Sequence, residues 1–261
     1  SYNTAVGHNA GLSVSTGIQN TLIGGLAGDA LTTGNYNVAL GYNSLGATNV
    51  GAKNTAVGNF ALNENVRTNN NVAIGQQALQ SLVGDGSTDN QETYNTAVGY
   101  FAGKSVTTAI NNTLIGAAAG DALTTGGDNV AVGSGALTGQ QSGNSNVAIG
   151  RNSMAQGTAT DRNVAVGYFA LNNLSFAGDA YNVAVGFNAG LSVSTGVENA
   201  IIGSSAADAM TTGSYNAVLG TSALGANTKS NANVAIGNSA LANHNLTSDT
   251  AGYNIAIGFN A

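Results

Sequence analysis

Asn71-Val72-Ala73-Ile74-Gly75 and Asn146-Val147-Ala148-Ile149-Gly150 are two copies of the five-residue unit that decides how this chain folds. The unit is Asn, then Thr, Val, Ala or Ile, then Ala, Leu, Ile or Val, then Val, Ile or Leu, then Gly. It begins at Asn3, Asn20, Asn37, Asn54, Asn71, Asn95, Asn112, Asn129, Asn146, Asn163, Asn182, Asn199, Asn216, Asn233 and Asn254. Successive starts are 17 residues apart, except for intervals of 24, 19 and 21 after Asn71, Asn163 and Asn233. A short period held this strictly marks a stacked repeat, in which each coil packs on its neighbours. The three long intervals read as insertions: Gln80 to Tyr94, Asn172 to Tyr181 and Ala242 to Tyr253.

A longer period lies over the short one. Gly7-His8-Asn9-Ala10-Gly11-Leu12-Ser13-Val14-Ser15-Thr16-Gly17 returns almost intact from Gly186 to Gly196, with a looser copy from Gly99. The chain therefore divides into super-repeats at residues 1–94, 95–181 and 182–253, with five, five and four coils. Residues 254–261 read as the start of a further coil, and the chain as a piece of something longer. A Tyr closes each super-repeat (Tyr94, Tyr181, Tyr253), and Tyr2 holds the same place before Asn3.

Composition narrows the architecture. Among 261 residues there are 38 Gly and 37 Asn, with no Pro, Cys or Trp, and aromatics are 6%. Ala, Val, Ile and Leu must fill any core, which requires backbones to approach closely. Charged residues are only 7%, far below the roughly 25% of an ordinary domain. Without Cys there is no disulfide framework, thiolate nucleophile or zinc–thiolate site. A net charge of −6 argues against nucleic acid as a partner. No apolar run approaches the length of a membrane span, and no basic region leads an apolar stretch at the N-terminus. A 43% apolar chain is too hydrophobic for disorder.

With each coil numbered from its Asn, positions 2 to 4 predict a short strand bounded by Asn and Gly. Position 3 is Ala in eleven of the fifteen coils. Alternation along a strand puts positions 2 and 4 on one face and position 3 on the other. The expectation is that 2 and 4 fill the coil and that the small position 3 faces a neighbouring chain. Position 8 is always Ala or Ser, and position 9 is mostly Leu or Gly, which suggests a second short strand. Gly at position 5 suits a corner with positive φ. The stacked Asn side chains are expected to form an amide ladder. So rich a supply of Gly excludes a helical solenoid.

Asn146-Val147-Ala148-Ile149-Gly150-Arg151-Asn152-Ser153 and Asn71 to Ala78 resemble the head repeat of YadA-like trimeric autotransporter adhesins. They are similar also to the Asn-Thr-Ala-Ile-Gly repeats of phage tail fibres. The likeness covers essentially the whole chain. It implies an all-β fold: a parallel β-solenoid of the left-handed β-roll type, here with about fifteen 17-residue coils, assembled as a homotrimeric fibre. The adhesin heads use about 14 residues per coil, so the cross-section here is flat or more triangular. The resemblance implies an extracellular place, on a virion tail fibre or a bacterial cell surface.

Residues that could carry chemistry resolve into structural roles. Gly103-Lys104-Ser105 lacks the earlier Gly of a phosphate loop, since Val98 stands there. Asp29, Asp121 and Asp208 share one coil position. The first two are five coils apart, roughly 24 Å at one strand spacing per coil, too far for a glycosidase pair. Three copies of one Asp around a trimer axis could hold a cation, but an Asp in a turn accepting backbone N–H groups is the simpler reading. His8 and His244 lie far apart with no nucleophile context. Thr at position 2 alternates with Val too irregularly for an ice-binding ladder. The chain is expected to be no enzyme and to bind no cofactor or metal.

Individuality is concentrated in the insertions, which nominate Asp85, Asp89, Glu92, Phe176, Asp179, His244 and Asp249 as candidate binding-loop residues. Two function classes remain. One is a shaft or adhesive segment of a trimeric extracellular fibre, with a host-surface receptor or glycan as partner. The other is a self-polymerising surface filament. A polysaccharide-degrading tailspike is a weaker third. No nucleic acid and no membrane insertion are expected for this segment.

Overall fold

The computed structural model describes residues 2–86, 91–245 and 252–261. The chain divides into two compact units, Ser1–Asn129 and Val130–Ala261. It is all-β, with no helix among the described residues, and each unit is a parallel β-solenoid. In the first unit the ladder runs through Thr4–Val6, Thr21–Ile23, Val38–Leu40, Thr55–Val57, Val72–Ile74, Thr96–Val98 and Thr113–Ile115. In the second it runs through Val130–Val132, Val147–Ile149, Val164–Val166, Val183–Val185, Ala200–Ile202, Ala217–Leu219, Val234–Ile236 and Ile255–Ile257. Every strand occupies positions 2 to 4 of its coil, and pairing is in register: Thr21 lies beside Val38, Leu22 beside Ala39 and Ile23 beside Leu40.

The faces of these strands are the reverse of the sequence expectation. Position 3 points into the coil: Leu22, Ala39, Ala56, Ala73 and Ala97 are fully buried. Positions 2 and 4 face outward, and Val38, Leu40, Ile74 and Ile115 stay exposed. The physical reason is volume sharing across the coil. A Cβ added to Gly28 at position 9 would lie 2.9 Å from Leu22, and one added to Gly120 would lie 2.9 Å from Leu114. Where position 3 is large, position 9 is small: Leu22 with Gly28, Leu114 with Gly120, Ile201 with Ala207. Where position 3 is Ala, position 9 is usually Leu or Met: Leu45, Leu62, Leu79, Leu137, Met154 and Leu171, all buried. Ala at position 3 therefore makes room for the coil's own opposite wall. Position 12 completes the core with Leu31, Leu82, Val106, Leu123, Leu174, Val193 and Met210.

Positions 8 and 9 form a turn, not the expected second strand. Position 9 adopts a left-handed backbone, as Leu45 (φ 52°), Leu62 (φ 48°) and Met154 (φ 47°) show. So does position 7, with Phe60 at 59° and Phe101 at 62°. Position 17 does the same before every Asn whose coil is described, with Tyr36 at 61°, Lys53 at 57° and Glu198 at 55°. Each such residue costs about 1–2 kcal/mol relative to an ordinary backbone. The corner at position 5 needs glycine outright. Gly41 has φ 140°, and a Cβ there would meet the Gly58 carbonyl oxygen of the next coil at 2.6 Å.

Volume sharing makes a specific prediction. Leu22→Ala leaves a cavity and should cost about 2–5 kcal/mol. Adding Gly28→Leu converts the coil to the Ala39/Leu45 arrangement of its neighbour and should restore at least half of the loss in denaturant unfolding. Further destabilisation by Gly28→Leu in the Leu22→Ala background would contradict the pairing.

Candidate functional site

Two surface features stand out from the repeat: the outward strand face and the roots of the insertions. Behind both runs the Asn ladder. The Asn199 Oδ1 accepts the backbone N–H and the Nδ2 of Asn216, each at 3.0 Å. Its own Nδ2 donates to the Gly213 carbonyl at 2.9 Å and to the Asn182 Oδ1 at 3.0 Å. Asn20 and Asn37 repeat the arrangement. The ladder fixes where position 17 leaves the coil and where the strand begins, and so positions the outer face.

Two further ladders escaped the sequence reading. At position 13 hydroxyls donate to the next coil's carbonyl: Ser15 to Thr32 at 3.1 Å, Thr107 to Thr124 at 3.1 Å and Thr211 to Thr228 at 2.9 Å. At position 16 side-chain oxygens accept the preceding coil's backbone N–H: Asn35 from Ile18 at 2.8 Å, Asp161 from Asn144 at 2.6 Å and Asn231 from Ser214 at 2.7 Å. The recurrence of Ser or Thr at position 13 and of Asn or Asp at position 16 was the available signal.

The outward face consists of positions 2 and 4. In the first unit it exposes Val38, Leu40, Ile74 and Ile115, and in the second Ile149, Val183, Val185, Ile202 and Leu219. Position 17 rims it on one side with Tyr36, Tyr94, Tyr181, Tyr215 and Tyr253, and position 6 on the other with Tyr42, Tyr100, Tyr168, Phe187 and Phe259. Position 2 is Thr in five of the seven first-unit strands and Ala at Ala200 and Ala217, so the aliphatic row that runs unbroken along each ladder is position 4. Charged residues are few on the face. An open groove of about 480 Å³ lies on the position-17 side, lined by Tyr181, Val183, Glu198, Asn199 and Ala200.

The insertion boundaries are corrected by the structure. Leu82 is a core residue, Val83 donates its N–H to the Thr107 carbonyl at 3.0 Å, and Gln91–Glu92 pairs with Thr68–Asn69. Gln80 to Val83 and Gln91 to Tyr94 thus belong to the coil wall, and only the seven residues 84–90 are extra. Removing all of Gln80 to Tyr94, which the 17-residue spacing made look dispensable, would breach the core. In the second insertion Leu174 is buried and Gly178–Asp179 pairs with Thr160–Asp161, so Phe176 and Ala177 are the added residues. Phe176 is half-buried.

The nominated loop residues do not converge. Asp89 and Asp249 lie outside the described residues. The Asp85 N–H donates to the Gln91 Oε1 at 2.9 Å, which folds the loop root onto the coil. Glu92 accepts the Tyr94 hydroxyl proton, which pushes the Tyr94 phenol above its usual value. Asp179 sits in an exposed cluster with Arg162 and Tyr181. It pairs with the Arg162 guanidinium and accepts the Tyr181 hydroxyl at 3.1 Å, while the guanidinium donates to that hydroxyl at 3.3 Å. Its charge raises the Arg162 pKa further. His244 departs from its assignment. It takes position 12, the core-facing place, half-buried, with Nε2 3.2 Å from the Asn254 Nδ2. His8 is exposed.

Among the described residues no three His, Cys, Asp or Glu side chains gather as a metal would require, and no helix is long and apolar enough to cross a membrane. Asp29, Asp121 and Asp208 each sit in the turn at position 10. Comparison with known proteins finds no matching family model, no matching curated protein and no matching solved structure.

Asp208 makes the turn reading testable. Burial raises its pKa above the ordinary value of 3.8, against the lowering effect of backbone N–H bonds from Asp208 itself and Ala209. A carboxyl raised on folding contributes stability below its unfolded pKa and loses it as pH climbs through the folded value. Asp208→Asn should therefore gain thermal midpoint relative to the native chain as pH rises from about 3.5 to neutral. A constant difference across that range would contradict it.

Proposed function

We propose that the chain is a structural segment of a trimeric extracellular fibre, a shaft that spans distance and presents surfaces for attachment to a host or other surface. The observation that carries this reading is the outward row of Val, Ile and Leu at position 4, joined by Val or Ile at position 2 in eight of the fifteen coils. An apolar face this continuous is costly in water, at about 25 cal/mol per Å² left unburied. It repeats once per coil, so the partner that matches it along its length must carry the same repeat. A second and third copy of this chain do so. Three copies turn their faces to a common axis, and the coils take the left-handed β-roll sense that the sequence resemblance implies.

The assembly would close the exposed sheet face, leave the position-13 and position-16 ladders toward solvent and place the insertions at the periphery. Each coil adds about 4.8 Å along the stack, so coil number sets length and loop content sets what the fibre touches. Asp179 at one root, and Asp85 with Glu92 at another, are exposed polar groups suited to a glycan or a protein receptor. The face itself holds rows of aliphatic side chains and no acid–base pair, which favours a mechanical role over catalysis.

Sedimentation equilibrium at micromolar concentration should give three times the 25.6 kDa chain mass. A stable folded monomer would contradict the assembly. Deleting residues 84–90 alone should leave three chains per assembly. Hydrolysis of a surface polysaccharide by the purified segment would overturn the structural reading.

A further inference from the structure

A repeat this uniform leaves its own assembly ambiguous. Every coil offers Val, Ile or Leu at position 4 and most offer Val or Thr at position 2, so a neighbouring copy shifted by one coil buries nearly the same face. Something outside the strands must specify register. The two rims of the face supply it, because the same coils carry rings on both. Tyr36 and Tyr42 flank Val38–Leu40, and Tyr94 and Tyr100 flank Thr96–Val98 in the first unit. Tyr181 and Phe187 flank Val183–Val185, and Tyr253 and Phe259 flank Ile255–Ile257 in the second. All eight rings are exposed, from 48% for Tyr42 to 78% for Tyr253. Other coils are small or polar on both rims, as with Gln19 and Gly25, Asn111 and Ala117, Asp128 and Ser134, or Ala232 and Asn238. Coil Asn163 sets Arg162 opposite Tyr168, a cation facing a ring. Tyr215, opposite Thr221, and Tyr2, opposite His8, break the pattern.

Within one chain nothing requires this match. The members of each pair stand at opposite ends of a strand. Among the described residues, the ring contacts join other partners: Tyr42 with Phe60, Tyr100 with Phe101, and Tyr168 with Phe169 and Phe187. Between chains the match has a geometric meaning. Parallel copies around an axis along the stack make heterologous contacts, so the position-17 rim of one meets the position-6 rim of the next. In register, the two rims of one coil lie at the same height. A slip of one coil would set Tyr36 against Asn59, Tyr94 against Ala117 and Tyr181 against Ser204. Antiparallel copies would bring position-17 rims against each other with the coil order reversed.

We propose that these same-coil aromatic pairs lock the register of a parallel assembly. The position-17 ring of one copy packs on the position-6 ring of the same coil in its neighbour, at Tyr36/Tyr42, Tyr94/Tyr100, Tyr181/Phe187 and Tyr253/Phe259. The inference rests on the trimeric reading above.

Photo-oxidative coupling of tyrosines in the intact protein tests it, because only rings in contact join. The expected result is a shift from the one-chain to the three-chain band on a denaturing gel. Mass spectrometry should find Tyr36–Tyr42 and Tyr94–Tyr100 as the joined pairs. Tyr100→Phe keeps a ring at its position and should abolish the Tyr94 join while leaving Tyr36–Tyr42. Trimers by sedimentation that show no joins between chains, or joins between position-17 tyrosines, would overturn the register lock and leave the trimer standing. A monomer by sedimentation would overturn both.

Discussion

Each interior Asn is held by the Asn of the coil before it and holds the Asn of the coil after it, and the rest of the structure depends on this contact. In most coils its Oδ1 takes two N–H groups from the following coil, and outside the lengthened coils its Nδ2 ties the end of its own coil through the carbonyl at position 15, as with Asn199, Asn216 and Gly213. One side chain thus closes a coil and sets its register on the next. The closure is needed because the coil is bent against backbone preference. In the Asn199 coil three left-handed residues that are not glycine, Ser205, Ala207 and Tyr215, cost about 1–2 kcal/mol each. Opposing them in the Asn199 coil are backbone hydrogen bonds from Ala200, Gly203, Ser205, Ala207, Thr211 and Tyr215 to adjacent coils. Each contributes about 0.5–1.5 kcal/mol net, and the burial of positions 3, 9 and 12 adds to them. Strain is outweighed only while the stack is intact, so coils stand or fall with their neighbours.

Much of this was legible in the sequence. The spacing of Asn3, Asn20, Asn37 and their successors placed every strand of the two main ladders, because strand start and period are set by the same residues. The orientation of the strands was only partly legible. Thr4, Thr21, Thr55, Thr96 and Thr113 at position 2 mark that face as the outer one, but coils such as Val147-Ala148-Ile149 are apolar at all three positions, and there alternation cannot say which face is inside. Ala39 and Ala56 looked like residues making way for another chain, and they make way for Leu45 and Leu62 of their own coil. The inverse sizes of Leu22 with Gly28 and of Ala39 with Leu45 carried the answer, since only side chains sharing a space need to compensate. The left-handed corners at Phe60, Leu62 and Lys53 gave no sign. Such a backbone favours Gly or Asn when local preference decides, and here the stack decides. His244 was read as a loop residue because the long interval begins near it, but the count from Asn233 puts it at position 12, inside.

The same reversal bears on function. With Ala inside, the outer face carries Val, Ile and Leu at position 4, and the proposed contact with further copies of the chain would bury them. The insertions add little bulk: residues 84–90 in one coil, Phe176 and Ala177 in another. Their roots are pinned by short two-residue ladders and acid–tyrosine pairs. Recognition by so small a set of loops would draw on repetition around the fibre more than on any single pocket, since linked copies raise avidity without new contacts.

The central claim is that the Asn amides hold the coils in place, and native-state hydrogen exchange on Asn199→Ala tests it most directly. The substitution strips the Asn216 N–H of its acceptor and frees the Gly213 carbonyl. Losing buried partners of this kind costs about 3 kcal/mol, or roughly a hundredfold in exchange. The account predicts that the amides of Asn216 and of Ala217–Leu219 exchange about a hundredfold faster, while those of Thr21–Ile23 in the other unit keep their protection. Unchanged protection at Asn216 would mean that backbone pairing and packing hold the stack alone, and would contradict the account.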